Sequence, residues 1–447
     1  LKIAKMLDLE LRQSCVNTIR FLAADAVEKA KSGHPGAPMG MADMAFVLWN
    51  QFLRYDPDDP QWPNRDRFVL SAGHASMLLY SLLHLAGYKL TMEDIQNFRQ
   101  WKSLTPGHPE YGLTPGVECT TGPLGSGFSN AAGMALGAKM MAARFNSSKD
   151  TLIDSRIFVL CSDGDMQEGI ASETASLAGH LGLGNLIALY DSNDITIAGD
   201  AGLAMSEDVG RRFEAYGWHV QHCDGHNHDK IAVCLEEALR VPMKPSLIVA
   251  KTIIGKGAPT KEGTAGSHGA PLGADEIRSA KQALGWEEKP DFYVPDEVRE
   301  VFEERKKNLK LQHQEWEKRL TNWKKSNPEL AELWDSHWDK KLPDNLLNQL
   351  IETIDGEEDA TRNLSGKVIQ KMAELIPSLV GGSADLEPSN KTLIKSAESI
   401  RPASSDSNSI PDPSFSGRNI HFGIREHAMG GITNGLALFG AWRPFCG

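Results

Sequence analysis

Residues 156–197, RIFVLCSDGDMQEGIASETASLAGHLGLGNLIALYDSNDITI, decide the fold of this chain. Two short apolar runs, Arg156–Cys161 and Asn185–Asp191, predict buried strands, and the stretch Ile170–His180 between them has a helix-compatible composition. A strand, a helix and a second strand in that order predict one βαβ unit with parallel strands and a right-handed crossover.

The same alternation extends through residues 1–290, where β-branched runs are separated by amphipathic stretches and Gly-rich connections. Ser246–Lys251 (SLIVAK) predicts a third buried strand. This pattern is typical of an α/β fold in which helices flank a parallel sheet.

The composition changes in Val298–Trp338, which is densely charged and carries apolar residues at roughly helical spacing. That spacing predicts a long helix and connector at the end of the first domain. We therefore predict a first α/β domain over 1–325, a helical connector over 326–354 and a second, incomplete α/β domain over 355–447.

The second domain is predicted to begin its regular structure near Leu364 and to have a strand at Ser378–Val380. Residues 397–417 are rich in Ser, Pro and Asp, which predicts a long exposed loop. A strand at Asn419–Phe422 then leads into a helix that starts near Arg425.

Overall composition excludes several classes of protein. The 447 residues include 47 basic and 59 acidic side chains, so the formal net charge is -12, which argues against general nucleic-acid binding. No apolar run reaches the roughly 18 residues that span a bilayer, and acidic residues interrupt the first segment, LKIAKMLDLELRQSC, where a secretory signal needs an apolar core. The six cysteines are scattered without a CxxC pair, so we expect a reduced, cytoplasmic protein without membrane association.

Polar side chains follow two neighbouring strands of the predicted sheet. Asp163 comes just after the first strand and Asn193 just after the second. These two residues and the backbone carbonyl of Ile195 form an all-oxygen set that suits Mg²⁺ or Ca²⁺, and Gly164 lets the backbone approach a phosphate. Each half alone is also an ordinary turn sequence, so only their combination predicts a metal–diphosphate site.

Histidines adjoin glycine in several loops: Gly33-His34, Gly73-His74, Gly107-His108 and Ser267-His268-Gly269. Each alone is compatible with a solvated loop histidine. Together they predict a polar pocket for hydroxyl recognition and proton transfer, provided that the fold brings them together.

The segment Thr120–Asn130 (TTGPLGSGFSN) has a GxxGxG pattern formed by Gly122, Gly125 and Gly127. It indicates either close backbone approach to a ligand or a tight turn leading into an Ala-rich helix at Ala131–Ala143.

The segment WHVQHCDGHNHD contains a crowd of metal-type ligands that we do not interpret as a zinc site, because their spacing fits no common zinc motif. A strand that ends in an Asp-Gly turn explains the segment better. Its possible ligands are His219, His222, Cys223, His226 and His228.

Read in order, these motifs resemble the transketolase family, and the resemblance runs along the whole chain. It implies a thiamin diphosphate-binding fold and the transfer of a two-carbon ketol unit from a ketose phosphate to an aldose phosphate. The motifs are SGHPGAPMG, RFVLSAGHAS, TPGHPEYG, TTGPLGSG, SDGDMQEG with DSNDITI, AGSHGAPL, GGSADLEPSN and HFGIREHAM.

The resemblance also implies roles for individual residues. The metal, Mg²⁺ or another divalent cation such as Ca²⁺, would be held by Asp163, Asn193 and Ile195. The cofactor site would be formed by His74, Gly122, Pro123, Leu124, Gly164, Glu168, Asn193, Ile254, His268 and Asp385. Substrate would be bound by His34, His108, His268, Arg362 and Ser389, with His34 and His268 also moving protons.

In this family Glu426 would hydrogen-bond the aminopyrimidine ring of the cofactor and favour its reactive tautomer. That role needs a buried carboxyl that can stay protonated. The site lies between two subunits, so the resemblance implies a homodimer, with Glu168 near Glu426 across the interface.

Three serines depart from the family pattern: Ser126, where glutamine is common, and Ser162 and Ser192 in the metal motifs. We expect Ser162 and Ser192 to be tolerated and Ser126 to alter hydrogen bonding near the diphosphate. The family's aromatic residues that stack on the aminopyrimidine are expected beyond Gly447. Two alternatives to a transketolase remain: a relative that uses formaldehyde as acceptor, and a form that binds cofactor or dimerises without turnover.

Overall fold

The structure, a computed structural model, describes residues 7–403 and 412–447. Residues 404–411, the middle of the predicted exposed loop, lie outside the described residues. The flanks of that loop are anchored, because Ile400 N–H donates to the Asn419 carbonyl at 2.8 Å and both Ile400 and Phe415 are buried. The prediction of exposure over 397–417 is therefore wrong at the flanks, where two apolar side chains join the core.

The strands form a five-stranded parallel sheet of order β1-β2-β3-β7-β6, a three-stranded parallel sheet of order β10-β8-β9, and a small antiparallel pair of β4 and β5. Their bounds are β1 (Arg67–Leu70), β2 (Ile157–Ser162), β3 (Leu186–Ser192), β4 (Ile195–Thr196), β5 (Gly199–Asp200), β6 (His219–Asp224), β7 (Ser246–Lys251), β8 (Leu379–Ser383), β9 (Asn419–His421) and β10 (Arg443–Cys446).

Helices surround both larger sheets. The α-helices are α1 (Leu9–Ala30), α2 (Gly36–Val47), α3 (Ser76–Leu85), α4 (Met92–Gln96), α5 (Ser126–Phe145), α6 (Asp163–Gln167), α7 (Gly169–Leu181), α8 (Val209–Ala215), α9 (His228–Leu239), α10 (Ala274–Ala283), α11 (Asp296–Ser326), α12 (Pro328–Trp338), α13 (Leu346–Glu352), α14 (Thr361–Leu375), α15 (Glu387–Asn390) and α16 (Glu426–Phe439). Short 3₁₀ turns cover Gly73–Ala75, Ala201–Leu203, Ala265–Ser267 and Pro413–Phe415, and a π-helical turn covers Leu48–Phe52. In the part of the chain that the structure describes, none of these helices is long and apolar enough to cross a membrane.

The strands predicted from the apolar runs are confirmed as β2, β3 and β7, which lie side by side in parallel register. Strand β2 is buried on both faces, as parallel sheets require. Its residues alternate between two cores. Phe158 and Leu160 face the core containing α1, α2, α3 and α9, whereas Val159 and Cys161 face the core containing α5 and α7.

The charged segment after residue 295 forms a long helix followed by a second helix at the start of the predicted connector. Helix α11 ends at Ser326 and α12 begins at Pro328, because proline cannot donate the backbone hydrogen bond that would continue α11. Trp316 and Trp323 of α11 are buried in the same core as residues of α5, so this helix is packed against the first domain.

The second sheet is joined to the first through the packing of α16 on α5. Ile432 and Leu436 of α16 share a core with residues of α5. The two backbones approach closely at paired glycines: a Cβ at Gly133 would lie 2.2 Å from the Ile432 carbonyl oxygen, and a Cβ at Gly435 would lie 2.0 Å from the Asn130 carbonyl oxygen. Only glycine permits this distance, so the position of α16 depends on these two residues.

We predict that Gly435→Ala destabilises the chain, because its methyl group would collide with backbone atoms that cannot move aside. The expected loss is about 1–3 kcal/mol in the free energy of unfolding, measured by urea denaturation. Gly430→Ala is the matched control. It lies in the same helix with no atom within 4 Å of the added Cβ, and helix propensity should stabilise it by about 0.5–1 kcal/mol. Equal effects of the two substitutions would contradict the predicted close contact.

Candidate active site

Asp163 and Asn193 lie together at the carboxyl edge of the first sheet, as predicted. Asp163 follows β2 directly and is buried. Its carboxylate accepts hydrogen bonds from the Tyr190 hydroxyl at 2.5 Å and from the backbone N–H groups of Asn193 at 3.1 Å and Asp194 at 2.9 Å. Two backbone N–H groups therefore hold the connection after β3 close to this carboxylate.

Negative charge is under-compensated here. Burial raises the pKa of Asp163 despite its hydrogen bonds, and burial together with the charge of Asp163 raises the pKa of Asp191 to about 7. The Asn193 side-chain amide donates to Asp191 at 2.7 Å, and its oxygen accepts from Ile195 N–H at 2.9 Å. The predicted metal ligands Asp163 and Asn193 thus lie in one hydrogen-bonded connection with the Ile195 backbone, at a point where a divalent cation would offset the negative charge.

Asp165 was not singled out from the sequence, yet it organises the site. Its carboxylate is fully buried and accepts from the Ser71 hydroxyl at 2.6 Å, Gly125 N–H at 2.7 Å and Ser162 N–H at 2.8 Å. The Ser162 hydroxyl adds a further bond at 3.0 Å. The only sequence signal was its place in the SDGD run, which reads equally well as a turn.

The Gly-rich segment is the tight turn into a helix that the sequence allowed. The helix, α5, begins at Ser126, so the prediction that it starts at Ala131 is wrong by five residues. The reason is that Gly125, with φ of 75°, turns the chain and Asp165 binds its N–H, so the first turn of α5 is already fixed.

This turn lies against several residues predicted for the cofactor. A Cβ at Gly164 would lie 2.8 Å from the Leu124 side chain, and a Cβ at Gly73 would lie 2.7 Å from the Gly122 nitrogen. His108 approaches from another loop, 3.4 Å from the corresponding Cβ position of Gly122. These contacts show that the Gly-rich turn is packed closely against the segments that carry His74, His108 and Gly164.

Three of the four predicted histidines lie together, whereas His108 contacts the Gly-rich turn at Gly122. The ring of His34 lies 5.1 Å from that of His74 and 5.9 Å from that of His268, and the rings of His74 and His268 stack at 5.3 Å. The Nδ1 atoms of His34 and His268 and the Thr121 hydroxyl are buried without a hydrogen-bond partner among the described residues. A polar ligand would satisfy these atoms.

Burial keeps these imidazoles uncharged. Burial, then the neighbouring His268, Arg99 and His108, lowers the pKa of His34 to about 4. Burial and the adjacent histidines lower the pKa of His74 to about 3. Burial also lowers the pKa of His108 and His268. Neutral imidazoles can both donate and accept hydrogen bonds, as hydroxyl and carbonyl recognition requires.

Ile254 lies beside this cluster, in the connection that follows β7. Its side chain is buried, and a Cβ at Gly36, two residues after His34, would lie 2.8 Å from it and 2.5 Å from the Ser267 carbonyl oxygen. Gly255 N–H donates to the Gly36 carbonyl at 2.9 Å. The segments carrying His34, Ile254 and His268 are therefore packed together.

The remaining predicted residues are exposed in this single chain. Glu168 caps α7 next to Gly125, while Glu426 begins α16 and makes no hydrogen bond or ion pair with any described residue. Arg362 on α14 and Ser389 on α15 also lie outside the histidine cluster. Asp385 lines a cavity of about 220 Å³ at the end of the second sheet.

The interpretation of WHVQHCDGHNHD as a strand and turn is confirmed. Residues His219–Asp224 form β6, and Gly225 follows it. The histidines of the turn face inward, where His226 and His228 both contact the Asp43 carboxylate at 2.8 Å.

Two family descriptions match the chain: "Transketolase, thiamine diphosphate binding domain" over residues 11–343 and "Transketolase, pyrimidine binding domain" over residues 357–447. The transketolase of Geobacillus stearothermophilus is 50% identical over 439 residues, which cover 98% of this chain and 64% of that protein. The transketolase of Halalkalibacterium halodurans is 50% identical over 436 residues, covering 97% and 64%. The crystal structure of Pichia stipitis transketolase with sedoheptulose-7-phosphate superposes with a TM-score of 0.93 and 44% identity, covering 98% and 64%. The chain thus spans about 64% of the length of the relatives it matches.

We predict that His34 and His74 stay uncharged in the folded chain down to about pH 5, whereas in the unfolded chain both titrate near 6.5. Because the folded pKa values lie below the unfolded ones, their contribution to stability is present above the unfolded pKa and is lost as the pH falls toward the folded pKa. Nitrogen-detected NMR measures the pKa of each imidazole, and the spectra of His34→Gln and His74→Gln assign the two signals. The urea-unfolded chain is the control, and folded titration near 6.5 would contradict the buried cluster.

Proposed function

Because this chain belongs to the transketolase family, as its motifs predicted, we propose that it holds thiamin diphosphate and transfers a two-carbon ketol unit from a ketose phosphate to an aldose phosphate in the pentose phosphate pathway. The observation that carries the proposal is the proximity of three predicted segments. A Cβ at Gly164 would lie 2.8 Å from Leu124 of the Gly-rich turn, a Cβ at Gly122 would lie 3.4 Å from His108, and the rings of His34, His74 and His268 lie 5.1–5.9 Å apart.

The residues present fit the cofactor and its metal. Asp163, Asn193 and the carbonyl of Ile195 would hold Mg²⁺, with Ca²⁺ or another divalent cation as possible substitutes. Buried atoms without partners, at Thr121 and His268, fit a polar ligand. The cofactor would contact His74, Gly122, Pro123, Leu124, Gly164, Asn193, Ile254 and His268.

When bound, thiamin diphosphate supplies a nucleophilic ring carbon and an electron sink for cleaving a bond beside a carbonyl. The chain supplies recognition and proton transfer. Neutral His34, His108 and His268 can hold the hydroxyls and the carbonyl of a ketose, and His34 and His268 can pass a proton to or from the carbonyl oxygen. His34 and His268 are half-buried, whereas His108 is exposed in this single chain.

Glu426 would act on the aminopyrimidine ring of a cofactor held by a second copy of the chain. Its exposure at the start of α16 supports this, since a carboxyl with that role needs burial that this chain alone does not supply. A homodimer would provide the burial, with Glu168 near Glu426 and with Asp385 approaching the cofactor from the second sheet.

Arg362 and Ser389 would bind the phosphate of the sugar. They lie on α14 and α15, two helices in contact, and a guanidinium fork suits a phosphate dianion. Sugar phosphates as substrates are supported by the Pichia stipitis relative, which was crystallised with sedoheptulose-7-phosphate. The six free cysteines fit a reducing cytoplasmic location.

The second candidate is a chain that binds cofactor or dimerises without turnover. The observation that favours it is that Glu426, Arg362 and Ser389 are exposed and lie outside the histidine cluster. Spectrophotometric assay of ketol transfer decides between the two. Turnover excludes the binding module, while cofactor binding without turnover would support it. Competition between an aldose phosphate and formaldehyde as acceptor tests the relative with a different acceptor.

We predict that Asp163→Ala weakens metal-dependent cofactor binding by about a hundredfold or more, because the cation loses its carboxylate ligand. Calorimetric titration of the chain with thiamin diphosphate and Mg²⁺ measures this. Asp275→Ala, at an exposed position on α10, is the control and should bind normally. Unchanged binding by Asp163→Ala would show the metal site to be wrongly assigned.

We predict that Glu426→Gln leaves cofactor affinity within about threefold of the parent but lowers ketol transfer by about 10²–10⁴-fold, the range for loss of a proton-transfer group. Exchange of the cofactor C2 proton, followed by NMR, should slow in parallel. Glu374→Gln, an exposed carboxylate on α14, is the control. Exchange at the parent rate in Glu426→Gln would refute the assigned role.

A further inference from the structure

Asp43 is a buried carboxylate on which several segments converge. Its side chain is 3% exposed and forms an ion pair with Arg20 of α1, which is equally buried. The His226 Nδ1 and His228 Nε2 atoms, from the turn between β6 and α9, lie 2.8 Å from its two oxygens. Asp43 thus joins α1, α2 and this turn at one point.

These partners keep Asp43 ionised. Burial alone would raise its pKa, but hydrogen bonds from His226 and His228 and the charge of Arg20 hold the pKa of Asp43 well below its usual range. A buried carboxylate with this many donors is a rigid anchor, because loss of any donor leaves charge uncompensated.

His226 connects this anchor to the backbone after β7. The N–H of Ile253 donates to His226 Nε2 at 3.0 Å, so that nitrogen is the acceptor and Nδ1 carries the proton donated to Asp43. His228 differs, since its second nitrogen, Nδ1, is buried without a partner among the described residues. Only His226 of the two therefore transmits the position of Asp43 to another segment.

The segment that His226 holds is the one that carries Ile254. The same segment also packs closely against α2, since a Cβ at Gly40 would lie 2.9 Å from the Ile253 carbonyl oxygen. Gly255 N–H donates to the Gly36 carbonyl at 2.9 Å. The segment is thus fixed between α2 and the His226 ring.

We propose that His226 is a positioning residue of the active site: oriented by Asp43, it fixes the backbone at Ile253 and thereby holds Ile254 against the cofactor. The role of Ile254 rests on the proposed function, whereas the link from Asp43 through His226 to Ile253 does not.

The first test measures the backbone directly, in the full chain without cofactor. In His226→Asn the amide reaches only the Nδ1 position, so the bond to Asp43 is kept and the bond to Ile253 is lost. We expect exchange of the Ile253 amide, resolved by hydrogen–deuterium exchange with fragmentation, to rise on the order of fivefold, the effect of one net hydrogen bond. His228→Asn removes a donor to Asp43 without touching Ile253 and should leave this amide unchanged.

The second test uses thiamin diphosphate with Mg²⁺ as the probe. Calorimetry should give a dissociation constant about fivefold higher for His226→Asn than for His228→Asn, although both variants lose one histidine beside Asp43. His226→Gln, whose amide reaches the Nε2 position, should restore Ile253 protection to within about twofold of the parent. It also keeps the proposal testable if the Asn variant does not fold.

Equal exchange of Ile253 in His226→Asn and His228→Asn, or loss of protection in His226→Gln as large as in His226→Asn, would overturn the proposal. The first result would mean that the hydrogen bond to His226 does not hold Ile253, and the second that ring volume rather than the acceptor at the Nε2 position holds it. Faster exchange of Ile253 with equal cofactor affinities would overturn the link to the cofactor. If the parent chain binds no thiamin diphosphate, the proposed function fails, while the exchange data still decide whether His226 positions Ile253.

Discussion

The carboxylate of Asp165 is the interaction on which the rest of the site depends. It is fully buried, and its four hydrogen bonds come from the end of β1, the Gly-rich turn and the end of β2. Leaving any of these polar groups unpaired in the core would cost about 1–3 kcal/mol, so the three segments are held in one arrangement. Asp163 after β2 and the Gly-rich turn before α5 are positioned by the same charge. Asp165 therefore links the two segments for which we propose metal and cofactor binding.

A second constraint is the distance between α5 and α16. The first turn of α5 is fixed by Gly125 and Asp165, while its middle meets α16 at Gly133 and Gly435. A single helix thus connects the Gly-rich turn with the helix that begins at Glu426. The position of the exposed Glu426 carboxylate is therefore set by contacts within the core.

The sequence predicted those features that local pattern determines. Strands β2, β3 and β7 are continuous apolar runs bounded by turn residues, and the acidic and histidine motifs follow from residue type and loop position. The start of α5, the anchored flanks beside Ile400 and Phe415, and the roles of Asp165 and Asp43 could not be predicted in this way. Each depends on a partner far away in the chain, such as Ser71 for Asp165 or His226 for Asp43, and no local pattern indicates such pairs.

The low pKa values of the histidines and the raised pKa values of the aspartates form one electrostatic arrangement. Asp163 and Asp191 concentrate negative charge at the sheet edge, which favours a cation, whereas charged imidazoles at His34 and His74 would repel that cation. Burial prevents this by keeping both rings neutral, and it leaves their nitrogens free to bind hydroxyls. The same desolvation therefore acts in opposite directions on acids and bases: it raises the pKa of Asp163 and Asp191 and lowers the pKa of His34 and His74, in a chain whose net charge is -12.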